Sequence, residues 1–157
     1  MTNDEKFMRE ALKQAKKAAA LGEVPVGAVI VRDDTVVSRA YNRRECDKNA
    51  LRHAEITAID RACKKLGGWR LCGCTLYVTL EPCPMCAGAI INSRIERVVY
   101  GCSDTKAGSV NTVQKMFELP YNHKPQLESG VLADECSAML SDFFRNLRKR
   151  KAKEKAE

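Results

Sequence analysis

The chain has no apolar run long enough to cross a membrane. Its longest, Val24 to Val31, is interrupted by Pro25 and Gly27 and falls far short of the roughly 20 residues a membrane helix needs. The start, MTNDEKFMRE, lacks a basic segment followed by an apolar one, so no secretory signal is visible and a cytoplasmic location is expected. In a reducing compartment, eight cysteines point to thiols and metal ligation before disulfides. No internal repeat occurs, which sets aside solenoid and propeller architectures. Histidine is scarce: His53 and His123 are the only two, so any site using imidazole must be built around one of them.

What is present fits one globular domain. With 157 residues, 45% of them hydrophobic, the chain can bury one sizeable core and is short for two. Charge is distributed unevenly. Residues 145 to 157 carry seven Lys or Arg against Glu154 and Glu157, so +5 of the formal +7 lies in the last thirteen residues. A basic tail (146–157) on a near-neutral body (1–145) suits a polyanionic partner, although a solvated helix end has the same composition.

Periodicity predicts the elements. Thr2 and Glu5 form a possible capping box, and Phe7, Met8, Ala11, Leu12, Ala15 and Ala19 recur at helical spacing over about Asp4 to Leu21. GAVIVRDDTVVSRAYN reads as a β-hairpin turning at Asp33-Asp34. Ile56, Ile59 and Cys63 make the apolar stripe of a helix from about Arg52 to Leu66, which Gly67-Gly68 ends. TLYVTL, PMCAGAIINS and RVVYG then give strand, helix and strand, a βαβ unit with parallel pairing. The stretch from Cys102 to Pro125 has no clear period and is expected to be a long functional loop with a short helix near Val113 to Phe117. A strand near Gln126 to Ser129 and a helix from about Ala133 to Lys151 complete the chain.

Two short strings carry the chemistry: HAE at His53 to Glu55, and EPCPMC at Glu81 to Cys86. Residues two apart on a helix point about 200° apart, so His53 and Glu55 cannot both face one ion from mid-helix, but at the first turn both reach past the helix end. Cys83 and Cys86 meet the same requirement, with Pro84 at the first helical position and the positive end of the helix favouring thiolate. One nitrogen and two sulfur ligands leave the fourth tetrahedral position open. An open position distinguishes catalytic from structural zinc, because a water there has its pKa lowered toward about 7. A lone His-x-Glu is nearly meaningless and a lone Cys-x-x-Cys is read as redox or metal; their combination across a βαβ frame is far rarer. A rival four-cysteine site would recruit Cys72 and Cys74. A strand over Thr75 to Leu80, at about 3.3 Å per residue, opposes it by carrying Cys74 roughly 20 Å from Cys83. Cys46, Cys63, Cys102 and Cys136 are left as buried or incidental thiols.

His-x-Glu followed by Pro-Cys-x-x-Cys resembles the signature of the zinc-dependent nucleoside and nucleobase deaminases. GEVPVGAVIV, AYNR, HAEITAI, TLYVTLEPCPMCAGAIINSRIERVVYG and GVLADECSAMLSDFFR are together similar to the bacterial tRNA-specific adenosine deaminases. The likeness runs from about Glu5 to Arg145. It implies a cytidine deaminase-like α/β fold: three layers, α/β/α, around a mixed five-stranded sheet with helices on both faces. It implies one Zn2+ per chain on His53, Cys83 and Cys86, with Glu55 as the catalytic proton shuttle. The implied activity is hydrolysis of adenosine to inosine at the wobble position of a tRNA anticodon, usually arginine tRNA, by a homodimer. Asn42 matches the asparagine that hydrogen-bonds the flipped nucleotide, Asp104 and Lys106 match the loop that approaches the anticodon, and Ala54, Phe144 and Arg145 complete the substrate-binding set. Two alternatives stay open on the residues: a deaminase of free guanine, cytosine or cytidine, which shares the zinc centre, and a non-catalytic, zinc-stabilised RNA-binding module.

Overall fold

The computed structural model describes residues 1–157. Helix α1 (Asn3–Ala20) starts at Thr2, whose hydroxyl oxygen accepts the Glu5 N–H and so satisfies one of the unpaired donors of the first turn. Strands β1 (Gly27–Arg32) and β2 (Thr35–Tyr41) form the expected antiparallel hairpin. Its two-residue turn puts Asp33 and Asp34 at φ 51° and 56°, the left-handed region that matches the twist of the flanking strands and that Asp tolerates. Helix α2 (Ala54–Leu66) ends at Gly67, whose N–H reaches the Cys63 carbonyl with φ 76°. Strand β3 (Thr75–Leu80), helix α3 (Pro84–Asn92) and strand β4 (Arg97–Cys102) are the βαβ unit, and β3 and β4 pair in parallel.

The sheet order is β2-β1-β3-β4, closed at the far edge by the short β5 (Gln126–Glu128), also parallel to β4. Alternation along the central strands divides the core in two. Ala28, Ile30, Leu76, Val78, Val98 and Tyr100 face α2 and α3, and Val29, Val31, Tyr77 and Val99 face α1 and the last helix, α4 (Ala133–Ala156). Both faces of the sheet are therefore covered, as parallel pairing requires. The mixed five-stranded sheet and three-layer architecture are those expected.

Two expectations shift. The helical turn in the 102–125 loop is a single 3-10 turn over Met116–Glu118, shorter and later than Val113 to Phe117; ahead of it the N–H groups of Val113 and Gln114 turn back to the Gly108 carbonyl and so do not start a helix at Val113. Helix α4 runs on through the basic residues to Ala156, five residues past Lys151. No helix is long and apolar enough to cross a membrane.

Candidate metal centre and active site

His53 and Cys83 occupy equivalent places. Each is the extended residue just before a helix, α2 or α3, and neither side chain caps its own helix. Both are thereby free to point past the helix end, where the two N-termini converge at the carboxyl ends of β3 and β4. Cys86, in the first turn of α3, is fully buried beneath them. His53 Nδ1 lies 3.6 Å from the Cys83 Sγ and 3.6 Å from the Cys86 Sγ, and the three donor atoms sit within 4.8 Å of one another. Arms of about 2.3 Å to sulfur and 2.0–2.1 Å to nitrogen, set at the tetrahedral angle, have ends about 3.6 Å apart. The donor set therefore fits a zinc ion both in chemistry and in spacing.

No other group of three or more His, Cys, Asp or Glu side chains comes together this way. Cys72 is exposed and Cys74 buried elsewhere, with all eight cysteines free, so the four-cysteine alternative is not formed. Cys102 and Cys136 are buried thiols, Cys63 is half-buried, and Cys46 is exposed. His123 is tied to the Ile95 carbonyl at 2.7 Å, away from the cluster.

The electrostatics suit thiolate ligation. The hydrogen bond from Cys86, helped by His53, lowers the Cys83 thiol to about 4, and the same shared proton, with burial, holds Cys86 up. The Cys83 thiolate in turn raises His53. Glu55, one residue into α2, is 4% exposed, and burial pushes its carboxyl up to about 7 against the opposing pull of its own backbone N–H and of His53. A carboxyl poised near neutrality can both take and give a proton.

A cleft of about 230 Å³ opens over this cluster, lined among others by Asn42, His53, Ala54, Glu55, Cys83 and Asp104. Asn42 is 7% exposed; its Nδ2 donates to the Val24 carbonyl and its Oδ1 accepts the Arg44 N–H, which leaves one donor and one lone pair for a ligand. Asp104 spends Oδ1 on the N–H groups of Lys106 and Ala107, an Asx turn that shapes the loop. Lys106, Phe144 and Arg145 are not in the cleft. They share a neighbouring groove with Arg148, and the loop from Asp104 to Lys106 connects the two.

Sequence reasoning passes over three residues here. Arg44 lines the cleft, while its neighbour Arg43 is held by Asp47. Glu23, 1% exposed, accepts the N–H groups of Glu45 and Cys46 and so secures the wall that carries Asn42. Glu81, 2% exposed, does the same for residues 104 to 112. Burial would raise the Glu81 carboxyl, but the Thr112 hydroxyl and the surrounding N–H groups outweigh it and hold it below the ordinary range. The only signal for Glu81 in the sequence is its place at a strand end two residues before Cys83.

The MafB19-like deaminase family model matches residues 2–148. The tRNA-specific adenosine deaminase of Bacillus subtilis is 55% identical over 152 residues, 96% of this chain and 94% of the relative. This chain belongs to the tRNA-specific adenosine deaminases. A solved structure from studies of A-to-I editing by tRNA:A34 deaminases at the wobble position of transfer RNA superposes with a TM-score of 0.84 at 44% identity. That match covers 86% of this deaminase and 99% of the other chain. Guanine deaminase from Bacillus subtilis is more distant, with a TM-score of 0.62 at 32% identity over 90% of this chain and 93% of that one.

Proposed function

We propose that the protein is a cytoplasmic, zinc-dependent hydrolase that converts adenosine to inosine at the wobble position of a tRNA anticodon. The observation that carries the reading is one buried carboxylate, Glu55, beside three donors at tetrahedral spacing on the floor of a cleft. His53, Cys83 and Cys86 would hold the ion, which when bound supplies Lewis acidity and a water activated as nucleophile at neutral pH. Glu55 accepts a proton from the attacking water. It returns one proton to the ring nitrogen of adenine beside C6 and helps a second to the departing amino group. The C6–O bond forms as the ring nitrogen is protonated; the C6–N bond then breaks as the amino group takes the second proton, leaving inosine and ammonia.

The adenine must be unstacked to reach the floor of the cleft, which is easiest in a single-stranded loop. Asn42, Ala54 and Asp104 line the cleft where the base would sit. The groove of Lys106, Phe144, Arg145 and Arg148 offers an aromatic face and three cations for the flanking nucleotides. A free-base deaminase gains nothing from such a groove. The homodimer and the arginine tRNA implied by the family resemblance belong to the same proposal.

The test offers tRNA, adenosine, cytidine and guanine side by side to the zinc-loaded protein and to Glu55→Ala. Wild type should form inosine in tRNA, and the variant should keep zinc and fold yet lose about 10²-fold or more, the scale of general acid–base catalysis. Rapid turnover of a free base with none on tRNA would sink the substrate assignment. No ammonia release from any of them by wild type would leave an RNA-binding module.

A further inference from the structure

The loop from Ser103 to Lys115 has no strand and only turns, yet its middle is heavily anchored; beside the Ser109 N–H on the Pro82 carbonyl and the Asn111 Nδ2 on the Tyr100 hydroxyl, most of the anchoring bonds end on one side chain. Both oxygens of Glu81 are used. Oε1 accepts the Asp104 N–H at 3.2 Å and the Thr112 hydroxyl, and Oε2 accepts the N–H groups of Val110 at 3.3 Å, Asn111 at 2.9 Å and Thr112 at 2.9 Å. Five donors thus converge on a carboxylate that is almost wholly buried. The fit leaves no slack: a Cβ at Gly108 would stand 2.4 Å from the Glu81 carboxyl carbon. Glu81 itself is fixed from below, its N–H bonded to the Cys102 carbonyl at the end of the parallel pair.

Resting on the deaminase reading, we infer that Glu81 is a positioning residue for the polynucleotide. Its carboxylate holds the loop that contributes Asp104 and Ala107 to the lining of the cleft, and through that loop it places Asp104 and Lys106 against the anticodon loop. It does this without handling the reacting atoms. The metal donors and Glu55 stand at the starts of α2 and α3, and the loop meets that frame through the Ser109 N–H on the Pro82 carbonyl, a backbone bond that does not use the Glu81 carboxylate. Substrate affinity and the chemical step should therefore separate. An amide at Glu81 presents N–H toward N–H and must release part of the wall, since an unpaired buried donor costs more than the hydrogen bond it loses.

The experiment compares Glu81→Gln, Gly108→Ala, Thr112→Val and Thr112→Ser with wild type as full chains loaded with zinc. It reads zinc content, thermal midpoint, kcat and KM on an anticodon stem-loop, and stem-loop affinity in a Glu55→Ala background, where turnover is slowed by about 10²-fold or more. Glu81→Gln and Gly108→Ala should raise KM and weaken affinity by about tenfold or more, the loss expected when a charged, buried hydrogen-bond hub is broken. Their kcat at saturating RNA should change less than about threefold, and zinc should stay at one per chain. Thr112→Val should show a smaller rise in KM, and Thr112→Ser, which keeps the hydroxyl, should restore it. The inference is overturned if Glu81→Gln and Gly108→Ala keep wild-type affinity, if kcat falls with KM unchanged, or if Thr112→Ser behaves as Thr112→Val does. Should Glu81→Gln not fold, the threonine pair and Gly108→Ala still decide. Wild type that binds the stem-loop but forms no inosine would defeat the deaminase reading, while the affinity series would still report on Glu81.

Discussion

The N-terminal ends of α2 and α3 and the distal half of α4 are both helix ends rich in candidate functional side chains, and they are built on opposite terms. At the first, Ala54, Ala58, Ala62, Ala87 and Ile90 are buried in the larger core, so the imidazole and the two sulfurs can hold one arrangement. At the second, every residue from Arg148 to Glu157 is exposed. That segment is helical by extension from the docked turns around Cys136 and Leu140, since an isolated helix of this length is marginal in water. Packing supplies geometry, which a metal centre needs, and solvation supplies mobile charge, which a phosphate backbone can use.

The comparison breaks most visibly if a ligand at the packed end can be dispensed with. Cys83→Ala should lose its zinc by elemental analysis. Deamination should fall by about 10³-fold or more, because several kcal/mol of charge stabilisation leave with the metal. Its unfolding should also become less cooperative, since a metal bound only in the folded state is part of the folding free energy. Full zinc occupancy in the purified variant would refute the ligand set.

At the solvated end the expected effects are smaller and different in kind. Truncation after Phe144 removes seven cations. It should weaken binding to an anticodon stem-loop and reduce the slope of log affinity against log salt by roughly 0.7 for each phosphate of single-stranded RNA that the tail no longer neutralises. Zinc content and the thermal midpoint should hardly move. RNA affinity and salt slope equal to those of the full chain would remove any role for the tail and leave the zinc chemistry untouched.

The same contrast marks what the sequence makes legible. Helix periods, the Asp33-Asp34 turn and the βαβ unit are local patterns, and each appears where it is expected. The donor set is legible because His53 and Cys83 must precede helices to converge, and a helix start has a local signature in Pro84 and in the apolar stripe that follows. Glu81, Glu23 and Arg44 are illegible for the opposite reason. Glu81 is defined by donors 23 to 31 residues away, and no spacing rule announces an acidic side chain that collects a loop's N–H groups. Nor does composition reveal that Asp104 faces the cleft while Lys106, two residues on, faces the basic groove.

The smallest effect sharpens the comparison from a third place, the end of the sheet remote from the cleft, where β3 and β4 begin. Asp4, in the first turn of α1, accepts both terminal nitrogens of Arg97 at 2.8 and 2.7 Å and the Tyr77 hydroxyl at 2.8 Å. The Arg97 hydrogen bonds hold the Asp4 carboxyl below its ordinary value, and the Tyr77 bond works with them against burial. A carboxylate whose pKa is depressed by folding contributes stability that is fully present above its unfolded value of about 3.9 and is lost as pH falls through the lower folded value. Asp4→Asn should therefore cost about 1.5–3 kcal/mol at pH 7, the range for hydrogen bonds to charged groups. That corresponds to a thermal midpoint lower by several degrees for a domain of this size. The gap between variant and wild type should narrow below about pH 4. Zinc content and deamination at 25 °C should be those of wild type, because nothing at that end of the sheet touches the cleft. A gap that stays constant down to pH 2 would mean that the variant disturbs packing and not the ion pair.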